Sequence, residues 1–144
     1  MIGPEVAAPE IVEERRRLAD AAGDVLMAAG LPVWRLDNGG TESGDPVVGA
    51  AIDVDPFVEG GAFIAWKASP TVVQDAIKAL EANRLDDPAI ERFGAITAAM
   101  IPAVAALLTT SGFTVGETDP AGFRPLQIQV IAGPDSTEHE APIT

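Results

Sequence analysis

The chain has 144 residues, of which 22 are acidic and nine are basic, so its formal net charge is −13 at pH 7. It contains no cysteine and one histidine, which excludes disulfides, zinc–thiolate centres and cysteine nucleophiles. Such an acidic chain also disfavours nucleic-acid binding, because phosphate recognition needs clustered lysine and arginine. Hydrophobic residues make up 47% of the chain, which is enough for the core of one globular domain.

The N-terminal third predicts a helix, a short strand and a polar loop. The helix is expected at residues 9–29, with Pro9 in its first turn and Gly30 after its last. The strand follows at residues 33–36, and the glycine-rich loop spans residues 37–46. The inner face of the helix is expected to consist of Ile11, Leu18, Ala22, Val25, Leu26 and Ala29.

Residues 47–54 and 62–67 both alternate between two faces, as strands do. Pro56 and the pair Gly60-Gly61 separate them, which predicts an antiparallel hairpin. One face of the first strand is expected to carry Val48, Ala50, Ile52 and Val54, and one face of the second is expected to carry Ala62, Ile64 and Trp66.

Two further helices are predicted from a matching start signal. Ser69-Pro70 and Asp87-Pro88 each place a capping side chain before a proline at the first helical position. The first of these helices should end near Asn83 and the second near Ser111, with Pro102 kinking or splitting the second. The inner face of the shorter helix is expected to consist of Val73, Ala76, Ile77 and Leu80.

Two final strands are predicted at residues 113–117 and 126–132. The order of elements is therefore α-β-β-β-α-α-β-β. This order predicts an α+β fold with two layers, in which a mixed or antiparallel sheet of about five strands packs against helices. Residues 1–132 should form a single domain, and residues 133–144 an extended acidic C-terminal tail.

Candidate sites for chemistry are sparse. Asp53 and Asp55 share a face at a strand end, where paired carboxylates can hold magnesium or transfer protons, but no third ligand or base lies nearby in sequence. The loop at residues 37–45 lacks the final glutamate of an EF-hand, and His139 lies in the acidic tail. We therefore predict no catalytic residue, no cofactor, no metal and no enzyme activity.

Residues 93–116 carry no charge. The strongly apolar part ends at Leu108, short of the roughly 20 apolar residues of a membrane span, so no membrane association is predicted. This segment instead favours a core helix or an oligomer interface. Candidate interface residues are Trp34, Trp66, Phe93, Met100, Ile101 and Val104. A candidate acidic surface comprises Asp37, Glu42, Asp45, Asp53, Asp55 and Glu59.

The segment GGAFIAWKASPTV at residues 60–72, preceded by AAIDVDP, resembles a stretch of small head-to-tail connector proteins of long-tailed actinobacterial phages. These proteins include tail terminators. The likeness extends over residues 5–132 in the order of elements, ending in a hairpin that contains LQIQV.

The resemblance implies a structural virion protein that is assembled in the host cytoplasm. Such proteins form a homo-oligomeric ring, typically a hexamer, between head and tail, and they contact neighbouring virion proteins. An acidic lumen would repel phosphate and let DNA slide without specific binding. Arginines at residues 15–17, 84 and 92 would then pair with acids of adjacent subunits.

A different class remains open, which is an acidic dimeric chaperone or adaptor that holds a partner protein in an apolar groove. Symmetry separates the two hypotheses. A ring needs a heterologous interface, whereas a dimer uses one self-complementary patch.

Overall fold

Three helices and five strands follow one another in the predicted order in the computed structural model, which describes residues 5–36, 48–117 and 126–134. The elements are α1 (Pro9–Ala28), β1 (Val33–Arg35), β2 (Gly49–Val54), β3 (Ala62–Lys67), α2 (Pro70–Glu81), α3 (Pro88–Thr110), β4 (Thr114–Glu117) and β5 (Ile128–Ala132). The α+β prediction is confirmed. The expected loop at residues 37–46 lies outside the described residues, and so does the expected tail except for Gly133 and Pro134.

The five strands form one mixed sheet in the order β1-β2-β3-β5-β4. The edge strand β1 pairs in parallel with β2, and all other neighbours are antiparallel. The predicted hairpin is confirmed as β2–β3, with Ala50 opposite Trp66 and Val54 opposite Ala62. Because β5 lies between β3 and β4, the last strand of the chain is interior to the sheet and β4 forms the edge opposite β1.

The core lies between one face of the sheet and the helices α1 and α3. Alternation directs every second residue of β2 and β3 towards this layer, as predicted, and Ile52 and Ile64 are fully buried there. Leu26 of α1 and Leu108 of α3 meet them from the helical side. The helix α2 packs against α3, so it forms the outer part of the helical layer.

The buried stripe of α1 differs from the predicted one. It consists of Val12, Ala19, Ala22 and Leu26, together with Gly23, whereas Ile11 faces solvent. Small residues at the centre of the stripe let the helix approach the sheet closely, as Gly23 shows by lying beside Val33 and Ile52. The predicted inner face therefore had the correct period but a phase that was wrong by part of a turn.

The inner face of α2 was also predicted only in part. Ala76 and Ala79 are buried against α3, whereas Ile77 is exposed and Leu80 is 53% exposed. Alanine permits close packing of two helices, and this places the larger side chains of α2 on the rim of the contact. The rim is an apolar surface that the described residues leave uncovered.

The helix α3 continues through Pro102 and is not split. Proline removes the hydrogen bond to the carbonyl of Ala98 four residues earlier. Both Pro102 and Ala98 are exposed, so water can satisfy that carbonyl. A proline on the solvent side is therefore compatible with one continuous helix.

Gly49 begins β2 in a conformation that only glycine adopts easily, with φ of 109°. A Cβ atom at this position would lie 2.6 Å from the carbonyl oxygen of Pro32, which accepts a 2.9 Å hydrogen bond from the amide of Ala50. We expect Gly49→Ala to lower the free energy of unfolding by about 2–3 kcal/mol through strain and this clash. Urea denaturation measures the change.

Gly94 provides the matched control, because it lies in α3 and nothing surrounds the place where its Cβ would be. Gly94→Ala should raise stability by about 0.5–1 kcal/mol, the ordinary helix preference for alanine. A Gly49→Ala variant as stable as the native chain would contradict the close approach between residue 49 and the carbonyl of Pro32.

Candidate functional site

The outer face of α3 is apolar and uncovered. Within its most apolar 18-residue stretch, 22% of the residues are buried. The inward row is Thr97, Ile101, Val104 and Leu108. The outward row consists of small uncharged residues that are all exposed: Ala95, Ala98, Ala99, Pro102, Ala103 and Ala106. A helix that is apolar on all sides normally has its outer face covered as well.

By length and composition α3 is also the one helix among the described residues that could cross a membrane, a test that the core helix of a soluble protein also passes. Its inward row contributes Val104 and Leu108 to the core, where both are almost completely buried. Removing α3 from this position would expose that core to water. The inward row of α3 therefore has a structural role within this chain.

The four predicted interface residues that lie on α3 fall into two groups. Phe93 is exposed and Met100 is half-buried, so both remain accessible on α3. Ile101 and Val104 are only 7% and 1% exposed, and they belong to the core of the chain instead of an interface. They lie on the inward row of α3. The sequence does not distinguish this row from the outward one, because the residues of both rows are uncharged and mostly apolar.

The two tryptophans are half-buried within the chain. The indole nitrogen of Trp34 donates a 2.8 Å hydrogen bond to the carbonyl of Val48, which ties β1 to the segment before β2. Trp66 packs against the core from β3. Both side chains have structural contacts within the chain, and each retains some accessible surface.

The acidic surface is described in part, because Asp37, Glu42 and Asp45 lie outside the described residues. Asp53 and Asp55 are half-buried, and Glu59 is exposed. A carboxylate oxygen of Asp55 accepts a 3.0 Å hydrogen bond from the amide of Phe57, so this aspartate stabilises the turn after β2.

Arg15 holds the turn between β2 and β3 from the opposite side. Its guanidinium donates to the carbonyls of Asp55 at 2.7 Å, Phe57 at 2.8 Å and Val58 at 3.3 Å. The resemblance implied ion pairs between this arginine and acids of a neighbouring subunit, whereas the three hydrogen bonds seen here lie within the chain. Three hydrogen bonds from one charged group make the turn a well-ordered feature of the surface.

Most of the other arginines are also paired within the chain. The ion pairs are Arg16–Glu13 at 3.6 Å, Arg17–Glu14 at 2.7 Å, Arg84–Asp87 at 3.1 Å and Arg35–Asp20. The guanidinium of Arg17 donates hydrogen bonds to the carboxylate of Glu14, and these raise the pKa of Arg17. Ion pairs on the protein surface contribute little to stability, because water and salt screen them. Arg92, by contrast, forms no ion pair with a described residue.

Among the described residues there is no group of three or more histidine, cysteine, aspartate or glutamate side chains that could hold a metal ion. No family model, curated protein or solved structure matches this chain. Its candidate site is therefore defined by surface chemistry, namely an apolar helical face on α3 and an acidic turn after β2.

Proposed function

We propose that this chain is a non-catalytic structural protein that assembles with copies of itself into a ring at the head–tail junction of a phage virion. The exposed outer face of α3 is the observation that carries the proposal. A monomer would leave this uncharged face in water, and contiguous exposed apolar surface is typical of interaction sites.

The distribution of charge supports assembly over ligand binding. Residues 93–116 are free of charge, whereas the acidic positions Asp53, Asp55 and Glu59 lie at the end of β2 and in the turn that follows it. An acidic surface separated from an apolar one suits a ring whose lumen repels DNA phosphates while its subunits adhere elsewhere. Specific binding to nucleic acid is not part of the proposal.

The partners in this proposal are further copies of the chain and the adjacent proteins of the virion, to which the assembled ring would connect. Exposed Phe93 and Leu80 add large apolar side chains near the α2–α3 contact. Interface centres are enriched in aromatic and other large apolar residues. Neither a membrane nor a cofactor has a role.

Light scattering coupled to size-exclusion chromatography tests the proposal. At concentrations from about 1 to 100 μM, which bracket micromolar dissociation constants, we expect a mass several times the 14.9 kDa of one chain. Six chains per particle and a ring in negative-stain images would support the full proposal. A monomer at every concentration would overturn it.

A second candidate function is the dimeric chaperone or adaptor. A groove between the C-terminal halves of α1 and α3 favours it, because Val25 and Leu107 line the groove together with small residues that leave space for a peptide. The same mass measurement separates the two, since this alternative requires two chains per particle with two-fold symmetry.

A further inference from the structure

The chain leaves the core beside the C-terminal end of α3. Gly133 is buried, with Leu18 of α1 next to it, and the following residue, Pro134, is exposed. A Cβ atom on Gly112 would lie 3.1 Å from the Cβ of Pro134, so the chain emerges just past the last turn of α3. Residues 135–144 follow this point and lie outside the described residues.

The groove between the C-terminal halves of α1 and α3 begins at this exit. Ser111 lines the groove and directly precedes Gly112 in the chain. Val25 lines it from α1 and lies on the same flank as Leu18, because residues i and i+7 share one face of a helix. Both helices therefore place one end of the groove next to Pro134.

The groove is apolar and uncharged. Its two larger side chains, Val25 and Leu107, are half-buried and pack against the core, whereas its alanines are exposed. No acidic or basic side chain is among the described residues that line it. Such a groove favours apolar side chains and leaves charged ones in water.

The sequence of residues 135–144, DSTEHEAPIT, has a polar part followed by an apolar part. Its acids all lie within residues 135–140, whereas residues 141–143 are alanine, proline and isoleucine. Proline disfavours helical backbone in the residue before it, so Pro142 favours an extended conformation at Ala141. The sequence therefore predicts a short, extended apolar segment, and extended peptides are one of the forms that protein grooves bind.

The length of this segment is sufficient to reach the groove. Ile143 is nine residues after Pro134, a separation that spans up to about 30 Å when extended. Along α3 the groove runs from Ser111 to Ala103, which is about 12 Å of helix. Even a half-extended chain would bring Ile143 into the groove. A link this short keeps its effective concentration there in the millimolar range.

We propose that residues 141–143 occupy the groove of their own chain, with the side chain of Ile143 against Val25 and Leu107. The acidic residues that precede them remain in solvent. The short link from Pro134 favours the same chain over a second copy, because a second copy would have to reach the millimolar range to compete.

This contact regulates access to the groove. A peptide from a partner protein, as the chaperone or adaptor alternative requires, would have to displace residues 141–143 before it could bind. The contact also covers Ala103 and Ala106 at the C-terminal part of the outer face of α3, and it leaves Ala99 uncovered. Because it forms within one chain, it does not depend on assembly into a ring.

Disulfide formation between introduced cysteines tests the contact, since the native chain contains no cysteine. Ala106→Cys combined with Ile143→Cys should form a disulfide within one chain under mild oxidation, about tenfold faster than the control pair. The control combines Ala99→Cys with Ile143→Cys, because Ala99 is an exposed alanine of α3 outside the groove. Non-reducing electrophoresis and mass spectrometry of the full chain, at low micromolar concentration, measure both rates.

A second measurement needs no cysteine. In methyl NMR spectra of the full chain, Ile143→Asp should shift the signals of Val25 and Leu107, because it removes the apolar side chain that contacts them. Thr137→Asp is the matched control, since it adds the same charge outside residues 141–143 and should leave those signals unchanged. Circular dichroism melting of each variant shows that it is folded.

Three results would overturn the contact. These are equal rates for the two cysteine pairs, a disulfide that joins two chains instead of one, and methyl signals of Val25 and Leu107 that Ile143→Asp leaves in place. None of them bears on the proposed ring, which the particle mass of the native chain decides. A monomeric native chain would overturn the ring and leave this contact standing.

Discussion

Replacing Leu108 by alanine is expected to lower the free energy of unfolding by about 3–5 kcal/mol. Leu108 is fully buried on the inward row of α3 and packs in the core that α1 and the sheet complete. The loss combines the transfer of the leucine side chain with the cavity that remains, since close-packed surroundings relax only in part. Urea or thermal unfolding of the purified chain measures the effect.

Leu80→Ala is the matched control, since it removes the same atoms from a position that is 53% exposed. Its effect on a monomer should stay below about 1 kcal/mol. Equal effects of the two substitutions would show that α3 does not pack as described. That outcome would also weaken the argument against a membrane-spanning role, which depends on the inward row of α3 being part of the core.

Local signals in the sequence were sufficient for the elements of the fold. Ser69 and Asp87 were predicted as helix caps, and both accept amide hydrogen bonds at the start of their helices. The alternation in β2 and β3 placed Ile52 and Ile64 on the face that joins the core, because successive side chains of a strand point to opposite faces. Ala51 on the other face of β2 is buried as well.

The order of the strands in the sheet and the packing of the helices have no comparable local signal in the sequence. The insertion of β5 between β3 and β4 depends on pairings between distant segments, such as Val130 with Ala62, which no local pattern reveals. In α1, the row beginning at Ile11 and the row beginning at Val12 both fit helical spacing. The structure buries the second row because its alanines allow α1 to approach the sheet.

Only part of the candidate site could be predicted from the sequence. A carboxylate before Pro56 is typical of a turn, so the structural role of Asp55 could have been inferred from sequence. The hydrogen bonds from Arg15 to this turn could not have been inferred from the sequence, because they join segments about 40 residues apart. Uniform hydrophobicity in α3 likewise concealed that Ile101 faces the core while its neighbour Pro102 faces outward.

This asymmetry of α3 leads to the second large expected effect. Ala99→Glu should disrupt the assembly, because Ala99 lies exposed in the uncharged outer face that the assembly is proposed to cover. Leaving one unpaired carboxylate in such an interface should weaken association by about 3 kcal/mol, which is roughly a hundredfold. The particle mass from light scattering should shift towards a single chain.

The fold of the monomer should survive this change, because glutamate is a good helix former and the position faces solvent within one chain. Gln74→Glu adds the same charge at an exposed position of α2 and should leave the mass unchanged. An Ala99→Glu variant that stayed assembled would show that the outer face of α3 is not the contact between copies. The apolar row would then have to be covered by a different protein, and the argument from exposed hydrophobic surface to self-assembly would fail at its central step.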